Sequence, residues 1–318
     1  MKEQKFLEII KQNLSDSSYI GDDCALIKEK KERQESQSDL CITQDTLVED
    51  IHFSLKTTTV CELAQKAVNV NFSDLAAAGA EPLFITISLS LPKSADESFV
   101  NEFYKGVQTA VSKYNAKVIG GDLTASEKIF ISICAIGRKY NDISISRANA
   151  KAGDIIAVTG VHGDSAGGLK LLQNGIKNPQ KLIKKHLLPE PQTEKSKILM
   201  QTAKQCGLTE FAMMDSSDGL ADALYQMSKA CNLAFDIDYD SIPVSKELKE
   251  TFPQQWQNMM LWGGEDFELV FAIDEKAFNN LDKTMFHKIG TVSDRPFDKE
   301  KTKEYEKNVF KHFEENTN

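Results

Sequence analysis

The chain has 318 residues, of which 41% are hydrophobic, enough to bury a core in each of about two domains. Its 38 Lys+Arg against 47 Asp+Glu leave a net charge of −9, which disfavours nonspecific binding to nucleic acid or an anionic membrane. Apolar runs such as residues 82–92 fall far short of the roughly 20 residues of a membrane helix, so no span is expected.

The opening residues place Phe6, Ile9, Ile10 and Leu14 near helical spacing but carry Glu3 and Glu8. They read as an amphipathic helix of a cytoplasmic protein rather than a signal peptide. Six cysteines form no CxxC pair and read as reduced, buried thiols. Residues 24–27 and 40–43 read as strands, separated by a charged, solvated stretch at 28–39. From Val60, apolar residues at 60, 63, 64, 67, 68, 72, 75 and 76 predict a helix that stops at Gly79 and Pro82. Then follow an alternating strand at 84–91, a helix at 96–114, a short buried strand at 117–121 and a strand at 129–137. Polar residues at 140–146 mark a boundary, giving an N-terminal domain over 1–140 and a C-terminal domain over 141–318. The second half offers a strand within 152–160, a glycine-rich turn into a helix at 163–175 and helices within 198–206 and 217–231. Strands within 233–240 and 267–274 complete it, with irregularity only at 295–297.

The informative feature is acidic residues beside Gly, Ser or Thr at the ends of apolar segments. They are Asp22 and Asp23, Asp45, Asp74, Asp122, Asp215 and Asp218, and Glu265 with Asp266. A carboxylate in an apolar setting is costly unless paired or metal-bound, and few Lys or Arg lie beside these motifs. Magnesium, a hard ion that takes one or two carboxylates and completes its shell with water and phosphate oxygens, suits such a set. The plainer alternative is that these residues cap helices and fix turns. That fits Asp218 before the helix near Gly219, and Asp154 in a turn. It does not fit Asp74, which lies inside a helix where aspartate has poor propensity and nothing to cap. The common phosphate-loop, dinucleotide and protein-kinase signatures are absent.

The ordered series GDDCAL, TQDTLVEDIHF, NFSDLAAAGAEP, GGDLT, RANAKAGDIIAVTG, GDSAGGL, DSSDGL and GGEDFELVF resembles the thiamine-monophosphate kinase family of the aminoimidazole-ribonucleotide synthetase-like superfamily. The resemblance implies a two-domain α/β (α+β) architecture, with an N-terminal mixed sheet forming a homodimer interface and a C-terminal α/β domain. It implies ATP and several magnesium ions between them, and conversion of thiamine monophosphate to thiamine diphosphate. It carries metal ligation onto Asp23, Thr43, Gln44, Asp45, Asp74, Asp122, Asp215 and Asp218. Nucleotide contacts fall on Tyr104, Gly121, Asp122, Arg147 and Ser217, and substrate contacts on His52, Glu265 and Phe310. Two departures stand out: Gln44 replaces a usual hydroxyl residue, and Val309-Phe310 replaces a Gly-aromatic pair.

A phosphate monoester acceptor is already ionised at neutral pH, so direct in-line transfer needs positioning and cations rather than a general base. Arg147 is expected at the nucleotide phosphates, against the plainer reading of a surface ion pair with Asp154. Rival readings are another ATP-dependent enzyme of the superfamily (the purine-pathway cyclo-ligase, selenophosphate synthetase or the hydrogenase-maturation enzyme) or a noncatalytic nucleotide- or metal-binding relative. Cys24 in a strand is a poor reactive thiol, and no cysteine follows Cys231, which weighs against the two that need one.

Overall fold

The computed structural model describes residues 22–27, 39–298, 302, 305 and 308; the expected N-terminal helix and the charged stretch at 28–38 lie outside them. Two sheets organise the chain. The first has strand order β1-β2-β5-β3-β4, from Ala25–Ile27, Leu40–Val48, Ala80–Leu91, Lys117–Ala125 and Phe130–Lys139 as β1 to β5. Two helices, α1 (Val60–Ala77) and α2 (Glu97–Lys113), complete this unit.

The second sheet has order β6-β8-β10-β7-β11-β9, from Ser144–Ile145, Ile155–Thr159, Glu210–Asp215, Leu233–Ile237, Leu269–Ile273 and Phe286–Pro296 as β6 to β11. Its helices include α3 (Asp164–Gln173), α4 (Gln180–Leu187), α5 (Thr193–Gln205) and α6 (Leu220–Cys231). The result is the expected two-unit α/β architecture. No described helix is long and apolar enough to cross a membrane.

Helix α1 is the element on which both units meet. Thr59 and Glu62 form a reciprocal capping box at its start, satisfying two backbone donors that the helix would otherwise leave open. Leu63, Ala64, Ala67, Val68, Phe72 and Leu75 bury into the first unit's core with Ile85, Ile87, Ile131 and Ile133. A second stripe, Lys66, Ser73 and Ala77, is also buried and faces the other unit: Ala77 joins the core of Phe211, Met213, Leu269 and Phe271. Helices α1 and α2 approach so closely that a Cβ on Gly106 would sit 2.3 Å from the Cys61 carbonyl oxygen, a contact only glycine permits.

Several expectations need correction. The strand at 117–121 runs on to Ala125 and is exposed along its whole length, because it is the edge of the sheet and no described element covers it. A short apolar run reads the same whether its neighbours are present or not. Pro82 does not end the region as a breaker. It lies inside β3, where the pairing with β5 shifts register between Pro82 and Phe84, a place that tolerates a residue without an N–H. Residues 295 and 296 belong to β11, past a register shift that begins after Val292.

Candidate active site

The first cluster forms where α1 meets β2, the start of β1 and the end of β8. Carboxylate oxygens of Asp23, Asp74 and Asp215 all lie within 4.8 Å of one another. Thr43 Oγ1 donates to Asp74 Oδ2 at 2.6 Å, and Ser73 Oγ donates to Asp215 Oδ2 at 2.5 Å, so consecutive residues of α1 serve both units. Asn71 accepts the Asp45 backbone N–H at 3.0 Å and fixes β2 beside them.

The electrostatics are those of charge the polypeptide does not neutralise. Burial, then repulsion from Asp23, pushes the Asp215 carboxyl up to about 7. Burial raises Asp74 well above its ordinary range, with Asp45 the strongest repelling neighbour. Burial raises Asp45 as well, with help from Asp23. Even Asp23, which pairs with the Arg147 guanidinium, stays above the ordinary value because burial outweighs that attraction. Three hard oxygen donors that repel one another fit a divalent cation such as magnesium.

Arg147 thus pairs with Asp23, and not with Asp154, the plainer alternative to its nucleotide role. That residue instead accepts the Lys151 backbone N–H at 2.8 Å. Asp218 is not the N-cap residue of α6: Gly219 holds that position. Asp218 is exposed and lines a cavity of about 460 Å³ together with His52, Ser217 and Glu265. Phe53, Leu63, Lys66, His186 and Trp262 line the same cavity.

His52 Nδ1 accepts the Val48 backbone N–H at 3.0 Å, so the neutral ring carries its proton on Nε2. Glu265 has φ 67, a left-handed conformation rare for this residue, and its N–H donates to the Ser217 carbonyl at 2.6 Å. Its carboxylate does have a cation, contrary to expectation: Lys66 Nζ lies 3.0 Å from Oε2. Asp266 turns away from the cavity to accept the backbone N–H groups of Gly163 and Ser165 at the start of α3.

Not every candidate converges within one chain. Gln44 lies on the opposite face of β2 from Thr43 and Asp45, where its amide donates to Ser132 Oγ at 3.2 Å. Gly121 is in register with Ile87, Ile133 and Asp45 across four strands. That separates Asp45 from Gly121 by three strand spacings, roughly 14 Å, and Asp122 is the next residue on β4. Tyr104 is exposed on α2, its ring edge-on to Phe103, and neither it nor Gly121 or Asp122 lines the cavity. Phe310 lies outside the described residues. Residues the sequence reading passed over are Asn71, Ser73, Lys66 and His186. The signal for the helix residues was present: polar side chains inside an otherwise apolar helix, with Lys66 and Ser73 seven residues apart on one stripe.

Comparison with known proteins agrees with this geometry. The family model for the AIR synthase related protein N-terminal domain matches residues 21–139, and that for its C-terminal domain matches 151–298. A thiamine-monophosphate kinase of Buchnera aphidicola subsp. Schizaphis graminum is 40% identical over 85% of this chain and 81% of its own. The structure described as AaThiL complexed with AMPPCP and TMP superposes with TM-score 0.82 at 30% identity, covering 93% of both chains. The thiamine monophosphate kinase of Aquifex aeolicus gives TM-score 0.78 at 31% identity, over 92% of this chain and 95% of that one. The chain therefore belongs to the thiamine-monophosphate kinase family of AIR synthase related proteins.

Proposed function

We propose that the chain transfers the γ-phosphoryl group of ATP to the phosphate of thiamine monophosphate, giving ADP and thiamine diphosphate. The observation that supports this reading best is the junction of two features. The 215–218 loop runs from a cluster of three mutually repelling carboxylates straight into the wall of a cavity with aromatic and polar lining. Relatives at up to 40% identity bear that activity in their name.

Asp23, Asp74 and Asp215 would hold magnesium, with Thr43 and Ser73 orienting the last two and Asp45 adding charge alongside. When bound, the ion neutralises charge on the phosphoryl group and on the acceptor phosphate. The acceptor oxygen is ionised at neutral pH, so no side chain has to remove a proton. Arg147 contributes a guanidinium for the nucleotide phosphates, with Tyr104, Gly121, Asp122 and Ser217 on the nucleotide side. His52 and Glu265 read the thiamine moiety, and Phe53 and Trp262 supply the apolar surface that an aromatic heterocycle needs.

The first sheet extends the reading to a homodimer. Phe84 and Phe130 are exposed on the face of β3 and β5 away from α1, and Val118, Ile119 and Leu123 are exposed along the edge strand β4, apolar side chains that a second copy would cover. Gln44 and Asp122 lie on that sheet, so their metal roles belong to the dimer rather than to the trio in one chain.

The test is purified protein with ATP, magnesium and thiamine monophosphate, following thiamine diphosphate by chromatography with chelator and no-acceptor controls. Metal-dependent thiamine diphosphate is the expected outcome. ATP binding with no transfer to thiamine monophosphate would overturn the substrate assignment.

A further inference from the structure

We propose that Lys66 is a positioning residue for substrate recognition: from α1 it holds the Glu265 carboxylate at the cavity wall as a hydrogen-bond acceptor for the amino group of an aminopyrimidine. The inference rests on the reading of the cavity as the thiamine pocket and adds to it which group is read, and how.

The geometry starts from a pair 199 residues apart in sequence. The Lys66 side chain is 5% exposed and lies 3.0 Å from Glu265 Oε2, while Glu265 is 30% exposed on the cavity wall. A lysine so deeply buried in a helix is costly without a partner, and Glu265 is the ion-pair partner recorded for it among the described residues. His186 Nδ1 approaches the same oxygen at 3.2 Å and also meets Ser165 Oγ at 3.1 Å. Both contacts therefore fall on Oε2. Among the described residues no hydrogen bond reaches Oε1, so that oxygen is the acceptor left for a ligand.

The chemistry of the acceptor follows from which groups surround it. Burial alone would favour a neutral carboxylic acid, but the Lys66 ammonium draws the Glu265 carboxyl below its ordinary range. An ionised carboxylate only accepts hydrogen bonds, whereas a neutral acid also donates one. An anion here is repelled by a substrate phosphate and attracted to an amino donor or to the cationic thiazolium. With Lys66 already balancing its charge, the directional hydrogen bond to the amino group decides discrimination. A site built to bond a donor rejects analogues lacking it far more strongly than an apolar pocket does.

The experiment compares the wild type with Lys66→Met, Lys66→Arg, Glu265→Gln and the double variant Lys66→Met/Glu265→Gln. The substrates are thiamine monophosphate and the analogue with an oxo group in place of the pyrimidine amino group. Melting curves establish that each variant is folded, and the double variant leaves no unpaired buried charge should Lys66→Met alone fail to fold. We expect Lys66→Met to raise KM for thiamine monophosphate about 10- to 100-fold with KM for ATP and kcat within about threefold. Its preference over the oxo analogue should collapse by at least tenfold, Lys66→Arg should recover part of both, and the double variant should be no worse than Glu265→Gln.

Additive losses in the double variant, an equal rise in KM for ATP, or unchanged preference between the two substrates would overturn the assignment to Lys66. So would a raised KM in Glu265→Gln with a normal one in Lys66→Met. An unchanged KM in Glu265→Gln would instead overturn the reading of the cavity itself, and the Lys66 proposal with it.

Discussion

Acidic side chains lie on two sides of the 215–218 loop, and burial pushes all of them up, yet their net shifts are opposite. Asp23, Asp74 and Asp215 are all pushed up, while Glu265 is pulled down. The difference is the cation count. Around the aspartates Arg147 pairs with Asp23 and its pull on Asp215 is outweighed there, so desolvation plus mutual repulsion wins. At Glu265 one ammonium faces one carboxylate across 3.0 Å, and attraction wins. The polypeptide balances the Glu265 charge by itself and leaves the charge of the aspartate cluster unbalanced, as the proposed magnesium site requires.

The sharpest way to break this comparison is to remove one charge from the first group. Asp74→Asn and Asp215→Asn should each lower turnover roughly 10²-fold or more while raising the melting temperature of the metal-free protein, since one repelling buried charge is gone. Near-normal turnover with an unchanged circular dichroism spectrum would sink the assignment. Chelation should act next: magnesium should raise the wild-type melting temperature by several degrees by binding the native state alone. Asp215→Asn should lose most of that response in the same calorimetric scans.

Proton linkage sharpens the contrast further. Because the Asp215 carboxyl titrates at about 7, a large share of it is protonated at pH 6.5 and little at pH 8.5. Magnesium binding should therefore release protons at the lower pH and weaken as pH falls, which titration calorimetry in buffers of different ionisation enthalpy would measure. Proton release that is the same at both pH values would count against a shared site at Asp215.

The smallest effect concerns buried imidazoles. Burial lowers both His162 and His186 to about 4, below the ordinary value near 6.5. Their neutral forms stabilise the fold above about 6.5, and that contribution is lost as pH falls from there toward 4. For one such group the loss between pH 8 and pH 5 is about 2 kcal/mol. His162→Leu should therefore show a shallower fall in denaturation midpoint over this range than the wild type, measured by urea melts.

The two groups also differ in how far the sequence announced them. Asp74 stood out because an aspartate in the interior of a predicted helix has no capping task, and the structure gives it the expected carboxylate neighbours. Asp218, for which capping was the plainer alternative to a metal role, lines the cavity, since Gly219 takes the N-cap position and local pattern cannot tell a capping acid from one beside it. The expectation that few cations accompany the motifs held in sequence and failed in space. Lys66 reaches Glu265 from the other unit, and a separation of 199 residues leaves no local trace.

By itself the sequence determined the element order, the stripe that packs α1 on the first sheet, and the residue types able to hold a phosphate-bound cation. These depend on periodicity, propensity and chemistry that act within a few residues of one another. Only the tertiary structure decided which acids converge and which face of β2 takes Gln44 away from Asp45. It likewise decided that 117–125 is an open edge, and that the second stripe of α1 delivers Lys66 and Ser73 to the other unit. Those outcomes depend on how two sheets pack against a shared helix, and burial and cross-unit charge pairing exist only once they have done so.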